Sequence, residues 1–177
     1  MLRFMVAPII VLTTVWAVTE ANTNKRIKPA DKPAVSRTGS ALTDAEANEL
    51  VECHNKARKE VGVGPVKWSK DIAKHAQEWA DKLAEAGELA HRHPNQYGEN
   101  LAIAKTVLQG AELWYREKKD YKPGTPVGKG GFLTVHYTAM VWSTTTEIGA
   151  GKAVTKKGTV IVCNYSPMGN VLGMKPY

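Results

Sequence analysis

Hydrophobic positions fall into three regimes along this chain. From Phe4 to Val18 they run on behind Arg3, interrupted only by Pro8 and a Thr pair. From Asn22 to Ala41 they almost vanish, in a stretch rich in Lys, Pro, Ser and Thr. From Leu42 onward they recur first at helical and then at strand spacing. Leu50, His54, Ala57 and Val61 share one helical face, so a helix is predicted from Asp44 to Val61. The capping box Thr43-Asp-Ala-Glu46 opens it, and Gly62 with Gly64-Pro65 closes it. Ser69 is a good N-cap for a second helix that carries Ile72, Ala76, Trp79, Ala80 and Leu83 towards Gly87. A third helix is predicted over Val107 to Tyr121, with Gly110, Leu113, Glu117 and Tyr121 on one side. The segment Glu88 to Ala104 reads as a short strand or loop followed by an irregular turn. Glu147 to Thr155 and Thr159 to Tyr165 are β-prone runs around Lys156-Lys157-Gly158, which is a hairpin pattern. Helices first and a hairpin last imply an α+β domain, with helices packed on a largely antiparallel sheet.

The other two regimes assign the ends of the chain. Residues 1–21 fit a secretory signal peptide: the apolar run is short for a bilayer span, and Ala21 is a small residue suited to cleavage. An uncleaved membrane tether is the alternative. Residues 22–41 cannot bury enough surface to offset their chain entropy and read as a disordered basic linker. Residues 42–177 make one ordinary domain. The expected destination is extracellular, with no transmembrane anchor after cleavage.

A formal charge of +7 favours anionic surfaces such as lipid or cell-wall polymers. Nucleic acid is not an expected partner, because the basic residues are dispersed and no arginine-rich run interleaves with aromatics. Only Cys53 and Cys163 are present, and either one bridge or two buried thiols fits that count.

Four side chains could carry chemistry. His91, His136, Glu99 and Glu117 lie in or beside apolar surroundings on different elements. If folding draws them together they form a set able to bind Zn²⁺ or to exchange protons near neutral pH. Spacing alone does not bring them together, and isolated His and Glu residues usually make ordinary hydrogen bonds. The neighbours Cys53 and His54 suggest a thiol–imidazole nucleophile, but adjacent helical residues diverge by about 100°. A packed, hydrogen-bonded core histidine is the better reading of His54.

Several segments are more specific. His136-Tyr-Thr-Ala-Met-Val-Trp142 resembles the HYTQVVW signature of the CAP superfamily, the cysteine-rich secretory, antigen and pathogenesis-related proteins. Val162-Cys-Asn-Tyr-Ser-Pro-Met-Gly-Asn170 resembles its second signature, VCNYxPxGN. Gly98-Glu-Asn-Leu-Ala102 and Trp114-Tyr-Arg-Glu117 resemble its acid-bearing segments. His54-Asn55 with Arg58, Val61-Gly-Val-Gly-Pro65 and Trp68 look like the first helix and loop of plant pathogenesis-related and bacterial members. The resemblance implies a three-layer α-β-α sandwich with a cleft formed by His91, Glu99, Glu117 and His136. It also implies that the two histidines are ligands for a divalent metal, with His93 as a possible third. Ala150 stands where many plant members have a Cys, and Ala139 where Gln is common. The function implied is that of a secreted protein binding a lipid or sterol-like molecule or another surface ligand, in defence or extracellular interaction. Catalysis is not implied by the family. The alternative is a metal-dependent hydrolase in which Glu99 or Glu117 activates water.

Overall fold

A computed structural model describes residues 37–129 and 133–177. The expected signal peptide and residues 22–36 of the expected linker lie outside the described residues. In chain order the elements are α1 (Asp44–Glu60), β1 (Lys67–Trp68), α2 (Lys70–Ala86), β2 (Gly98–Ala104), α3 (Val107–Arg116), a 3₁₀ turn (Glu117–Asp120), α4 (Val135–Met140), β3 (Glu147–Thr155) and β4 (Gly158–Ser166). The strands form one sheet in the order β1-β3-β4-β2, antiparallel except where the two residues of β1 join β3.

Alternation along β4 separates the layers. Ile161, Cys163 and Tyr165 pack with residues of α1, α3 and α4, whereas Val160 and Val162 pack with Ala76, Ala80 and Leu83 of α2. Successive strand side chains point to opposite faces, so one strand feeds two cores. The result is the expected α-β-α sandwich, with α2 alone on one side.

Small residues set how closely α2 approaches. A Cβ on Gly149 would fall 2.2 Å from the Ala73 nitrogen, and one on Gly151 would fall 2.3 Å from Gln77 Cα. The helix backbone therefore rests directly on β3. The amide side chain of Gln77 also donates to Lys152 O at 2.8 Å and accepts from Lys152 N at 3.0 Å, which covers the edge of β3 beyond the short β1.

Arg58 ties the far layer together. It is 1 % exposed and bonds only to carbonyls: Nε to Gly64 at 2.6 Å, NH1 to Met140 and Trp142 at 3.0 and 2.9 Å, and NH2 to Thr145 at 2.8 Å. A buried guanidinium is satisfied here by backbone dipoles.

The capping box on α1, the Ser69 cap and the left-handed Gly87 cap on α2, and the hairpin agree with the sequence reading. Four expectations need correction. The third helix stops at Arg116, so Glu117 opens a 3₁₀ turn, and Leu113 is exposed rather than on the packed side. The polar run Glu117 to Asp120 has no apolar side chain to bury, and Pro123 follows it. Gly98–Ala104 is a regular strand and not an irregular turn, paired along its length with β4. Thr38 and Ser40, assigned to the linker on composition, are buried, and Thr38 O accepts a bond from Trp68 Nε1 at 2.9 Å. Finally, α4 was not anticipated, because its last four residues are all buried and show no polar face.

Candidate functional site

The site is organised by two consecutive residues of β2, an edge strand. Because strand side chains alternate, Glu99 and Asn100 face opposite sides of the sheet. Glu99 binds the His91 ring, and Asn100 binds the backbone carbonyl of His136.

Glu99 is the centre of the first group. Its Oε1 accepts from His91 Nδ1 at 2.9 Å and from the Arg92 amide at 3.0 Å. Its Oε2 accepts from Asn95 Nδ2 at 3.1 Å and Asn164 Nδ2 at 3.3 Å. The Glu99 side chain is 4 % exposed while that of His91 is 65 % exposed, so a buried carboxylate holds an accessible ring. The bond to Glu99 raises the pKa of His91 above the usual histidine value. Helix α2 supports the loop from behind: His75 Nε2 meets Asn95 Oδ1 at 3.2 Å, and Arg92 donates to His75 O at 2.9 Å.

Glu117 is the centre of the second group. Its Oε1 meets His136 Nδ1 at 2.6 Å, and its Oε2 accepts from the amides of His136 and Tyr137 at 2.9 and 3.1 Å. Those amides lie in the first turn of α4, whose own N-cap residue Thr134 makes no side-chain bond. Glu117 thus caps α4 from a different element, satisfying donors that a helix start leaves unpaired.

A buried chain of hydrogen bonds joins the second group to the core. Asn100 Nδ2 donates to His136 O at 3.0 Å and to the Tyr165 hydroxyl at 2.9 Å. The Tyr165 hydroxyl meets His54 Nε2 at 3.0 Å, and His54 Nδ1 meets Leu50 O at 2.7 Å. A carbonyl can only accept, so Nδ1 carries the proton and Nε2 accepts from Tyr165. Burial, with a smaller contribution from Arg58, lowers the His54 pKa to about 4.

A cavity of about 350 Å³ lies over the start of β2, lined by His91, Arg92, His93, Asn95, Tyr97, Gly98, Glu99, Ala139, Tyr165, Met168, Gly169 and Asn170. His91, His93 and Glu99 therefore share a hollow, and Ala139 forms part of its wall. His136 and Glu117 are not in that lining; α4 links them to it, since Ala139 is one turn along from His136. Among the described residues, no three His, Cys, Asp or Glu side chains form a cluster that could hold a metal. His91 and His136 each have their Nδ1 on a carboxylate, which leaves Nε2 without a hydrogen bond among the described residues, and His93 lines the same hollow as His91. Histidines that bind metals are usually oriented in that way.

Asn95, Asn100, Asn164 and Tyr165 were missed as functional residues. Three of them lie inside the quoted motifs GENLA and VCNY, where their signal was available; Asn95 had none.

A second, larger groove of about 620 Å³ runs between α1 and α3, with Cys53, Leu108 and Tyr115 among its walls and Glu49, Glu52, Lys56, Glu112 and Arg116 alongside. Cys53 and Cys163 are free thiols, and complete burial pushes the Cys163 thiol up to about 12. No helix among the described residues is long and apolar enough to cross a membrane.

The model of the CAP family, described as the cysteine-rich secretory protein family, matches residues 51–165. A pathogenesis-related protein of PR-1 type from Sambucus nigra is 37% identical over 134 residues, covering 73% of this chain and 80% of that protein. Pathogenesis-related protein 1 of Arabidopsis thaliana is 38% identical over 133 residues, covering 73% and 81%. Among solved structures, the venom allergen-like protein 4 of Schistosoma mansoni superposes with a TM-score of 0.60 at 26% identity, covering 77% of this chain and 95% of that one. NaASP2, in a crystal structure with Zn²⁺, gives a TM-score of 0.59 at 23% identity, covering 77% and 86%.

Proposed function

The chain belongs to the CAP family of cysteine-rich secretory proteins, and from that premise we propose that it is a secreted binding protein of the pathogenesis-related type. In this reading His91 and His136 present their Nε2 atoms to a divalent cation or a polar group. The groove between α1 and α3 takes a lipid or sterol-like molecule. The observation that carries the proposal is the repeated pairing of an imidazole Nδ1 with a carboxylate whose oxygens are largely occupied by other donors. Glu99 fixes its ring with both oxygens filled and Glu117 with one position open, and the free nitrogen of each ring is the group left for a partner. The related fold of NaASP2, crystallised with zinc, supports the choice of Zn²⁺ as the first cation to try. Secretion is supported by the family and by the apolar run from Phe4 to Val18.

A bound cation would supply positive charge at the cleft, while Glu99 and Glu117 hold the rings and Asn95, Asn100 and Asn164 hold the surrounding backbone. Calorimetry with Zn²⁺, and with sterol and phospholipid in the presence and absence of Zn²⁺, tests the proposal. Zinc binding should be lost in both His91→Ala and His136→Ala, and a lipid should raise the melting temperature. No heat and no thermal shift with any of these ligands would remove it.

A further inference from the structure

Beyond the cleft and the groove, one edge of the molecule combines exposed apolar side chains with lysines. Three segments meet there. The loop 121–129 is joined to the final turn by Val127 N to Met174 O at 2.9 Å and Gly173 N to Val127 O at 3.0 Å. The start of α4 is joined to the same turn through Asn170, which donates to Val135 O at 2.7 Å and accepts from Thr138 Oγ1 at 2.8 Å. The turn itself closes from Met174 N to Val171 O at 3.0 Å, with Gly173 at a φ of 79°. That angle is what a type II turn places on its third residue, which puts Leu172 at the tip.

The tip is apolar. Leu172 is 80 % exposed and Leu133 is 77 % exposed, and Met168, Val171 and Met174 are also open to solvent. Leu172 lies over Gly128, where a Cβ would fall 2.3 Å from its Cδ1, so the side chain is held outward on a firm base. Val171, Leu172 and Met174 stand together in the turn, and exposed residues of this size side by side mark a surface that another phase or molecule covers.

Charge says what covers it. Neither Tyr121 to Thr146 nor Pro167 to Tyr177 contains an Asp or Glu, while Lys122, Lys129 and Lys175 are present. All three lysines are exposed. An apolar tip ringed by lysines fits the boundary between acyl chains and anionic headgroups, where the apolar residues enter the interface and the cations remain at headgroup level.

We propose that the turn Val171–Met174, with the loop beneath it, is a docking edge for anionic phospholipid bilayers. It does not depend on the cleft or the groove, so it stands or falls apart from the function proposed above. The turn carries on from Met168 and Asn170 in the cleft wall, so docking there brings the cavity to the membrane surface.

Co-sedimentation of the chain, purified from a secreting host, with vesicles of phosphatidylcholine alone and of phosphatidylcholine mixed with phosphatidylserine tests the proposal. Binding should require the anionic lipid, fall about tenfold in Leu172→Asp, and fall about fivefold in each of Lys129→Gln and Lys175→Gln. Lys25, Arg26, Lys28 and Lys32 are present in every arm, so a loss in Leu172→Asp reads the turn and not the N-terminal basic stretch. Circular dichroism of each variant should match the parent, since the side chains changed are exposed. As a direct readout of insertion, a Leu172→Trp variant should be quenched by brominated acyl chains. Absence of binding to anionic vesicles, binding unchanged by Leu172→Asp, an unquenched Leu172→Trp, or a change in self-association in place of vesicle binding would each overturn it.

Discussion

His54 makes the stability of this fold depend on pH in a way that one substitution can isolate. In the folded chain its Nδ1 proton is given to Leu50 O and its Nε2 accepts from Tyr165, so a second proton has no acceptor and no water to receive it. Burial therefore lowers its pKa from 6.5 to about 4. Between those values the unfolded chain takes up a proton that the folded chain refuses. The stabilisation is complete above pH 6.5, declines as the pH falls, and is spent near pH 4. The gap, at about 1.4 kcal/mol per pH unit, amounts to roughly 3 kcal/mol. His91 acts in the opposite sense: its raised folded pKa stabilises below the unfolded value, and that contribution is lost as pH rises through the folded one. A difference measurement is thus required.

His54→Gln removes the titration while keeping an amide that can reach one of the two partners. At neutral pH the variant should be less stable by about 1–2 kcal/mol for the lost hydrogen bond. Towards pH 4 the parent should lose roughly 3 kcal/mol that the variant does not, so the two stability curves should cross. Urea unfolding followed by tryptophan fluorescence across that range reads both curves, and for a domain of this size the exchange is on the order of 10 °C in Tm. Parallel curves, or a His54 ring proton titrating near the free-histidine value by NMR, would refute the reasoning.

Three other substitutions test the remaining load paths. Arg58→Lys keeps the charge but not the planar fork that reaches four carbonyls, and should cost about 3 kcal/mol in urea unfolding. Glu117→Ala should cost about 2 kcal/mol and loosen α4, seen as faster amide exchange at His136 and Tyr137, whose amides it now holds. Gly151→Ala should cost about 3 kcal/mol or prevent folding, because the added Cβ meets the backbone of Ala76 and Gln77 and not the movable end of a side chain. A Gly151→Ala protein as stable as the parent would show that α2 does not rest on β3 as described.

What could be read from the sequence follows from what is local. The caps on α1 and α2 are set by neighbours within one turn, and the hairpin by its own turn residues, so each was legible. The burial of His54 followed from its spacing with Leu50 and Ala57. Glu117 was misplaced on a long helix because periodicity continues past the point where apolar side chains stop. Helix α4 was not visible because its start is capped by Glu117, from an element that precedes it by a long loop, and its burial comes from α3 and β2. The two histidine–carboxylate pairs could be named only through the motif resemblance, since no spacing rule connects His91 to Glu99 across a loop or Glu117 to His136 across another. Even then, the separate partners of Glu99 and Asn100 depend on their alternation in β2, and the expectation of an irregular segment there hid it.

The donors on the two carboxylates also bear on whether the cleft could hydrolyse a substrate. A general base needs a lone pair within reach of water and a proton to take from it. Glu99 receives four donors on its two oxygens, and Glu117 receives three, two of them backbone amides at the start of α4. An oxygen that accepts two hydrogen bonds has no further lone pair to offer, so Glu99 is filled and Glu117 has one site left. To act as a base, Glu99 must release a donor that is itself partly buried, and the released amide or imidazole must find another acceptor, whereas Glu117 keeps one position open. The cost of leaving such a group unpaired is about 1–3 kcal/mol for each donor, raised further where the acceptor is charged. Glu99 is therefore better suited to holding its ring in place than to moving protons. What the arrangement offers an incoming molecule is imidazole nitrogen presented from a fixed direction by a carboxylate on its other side.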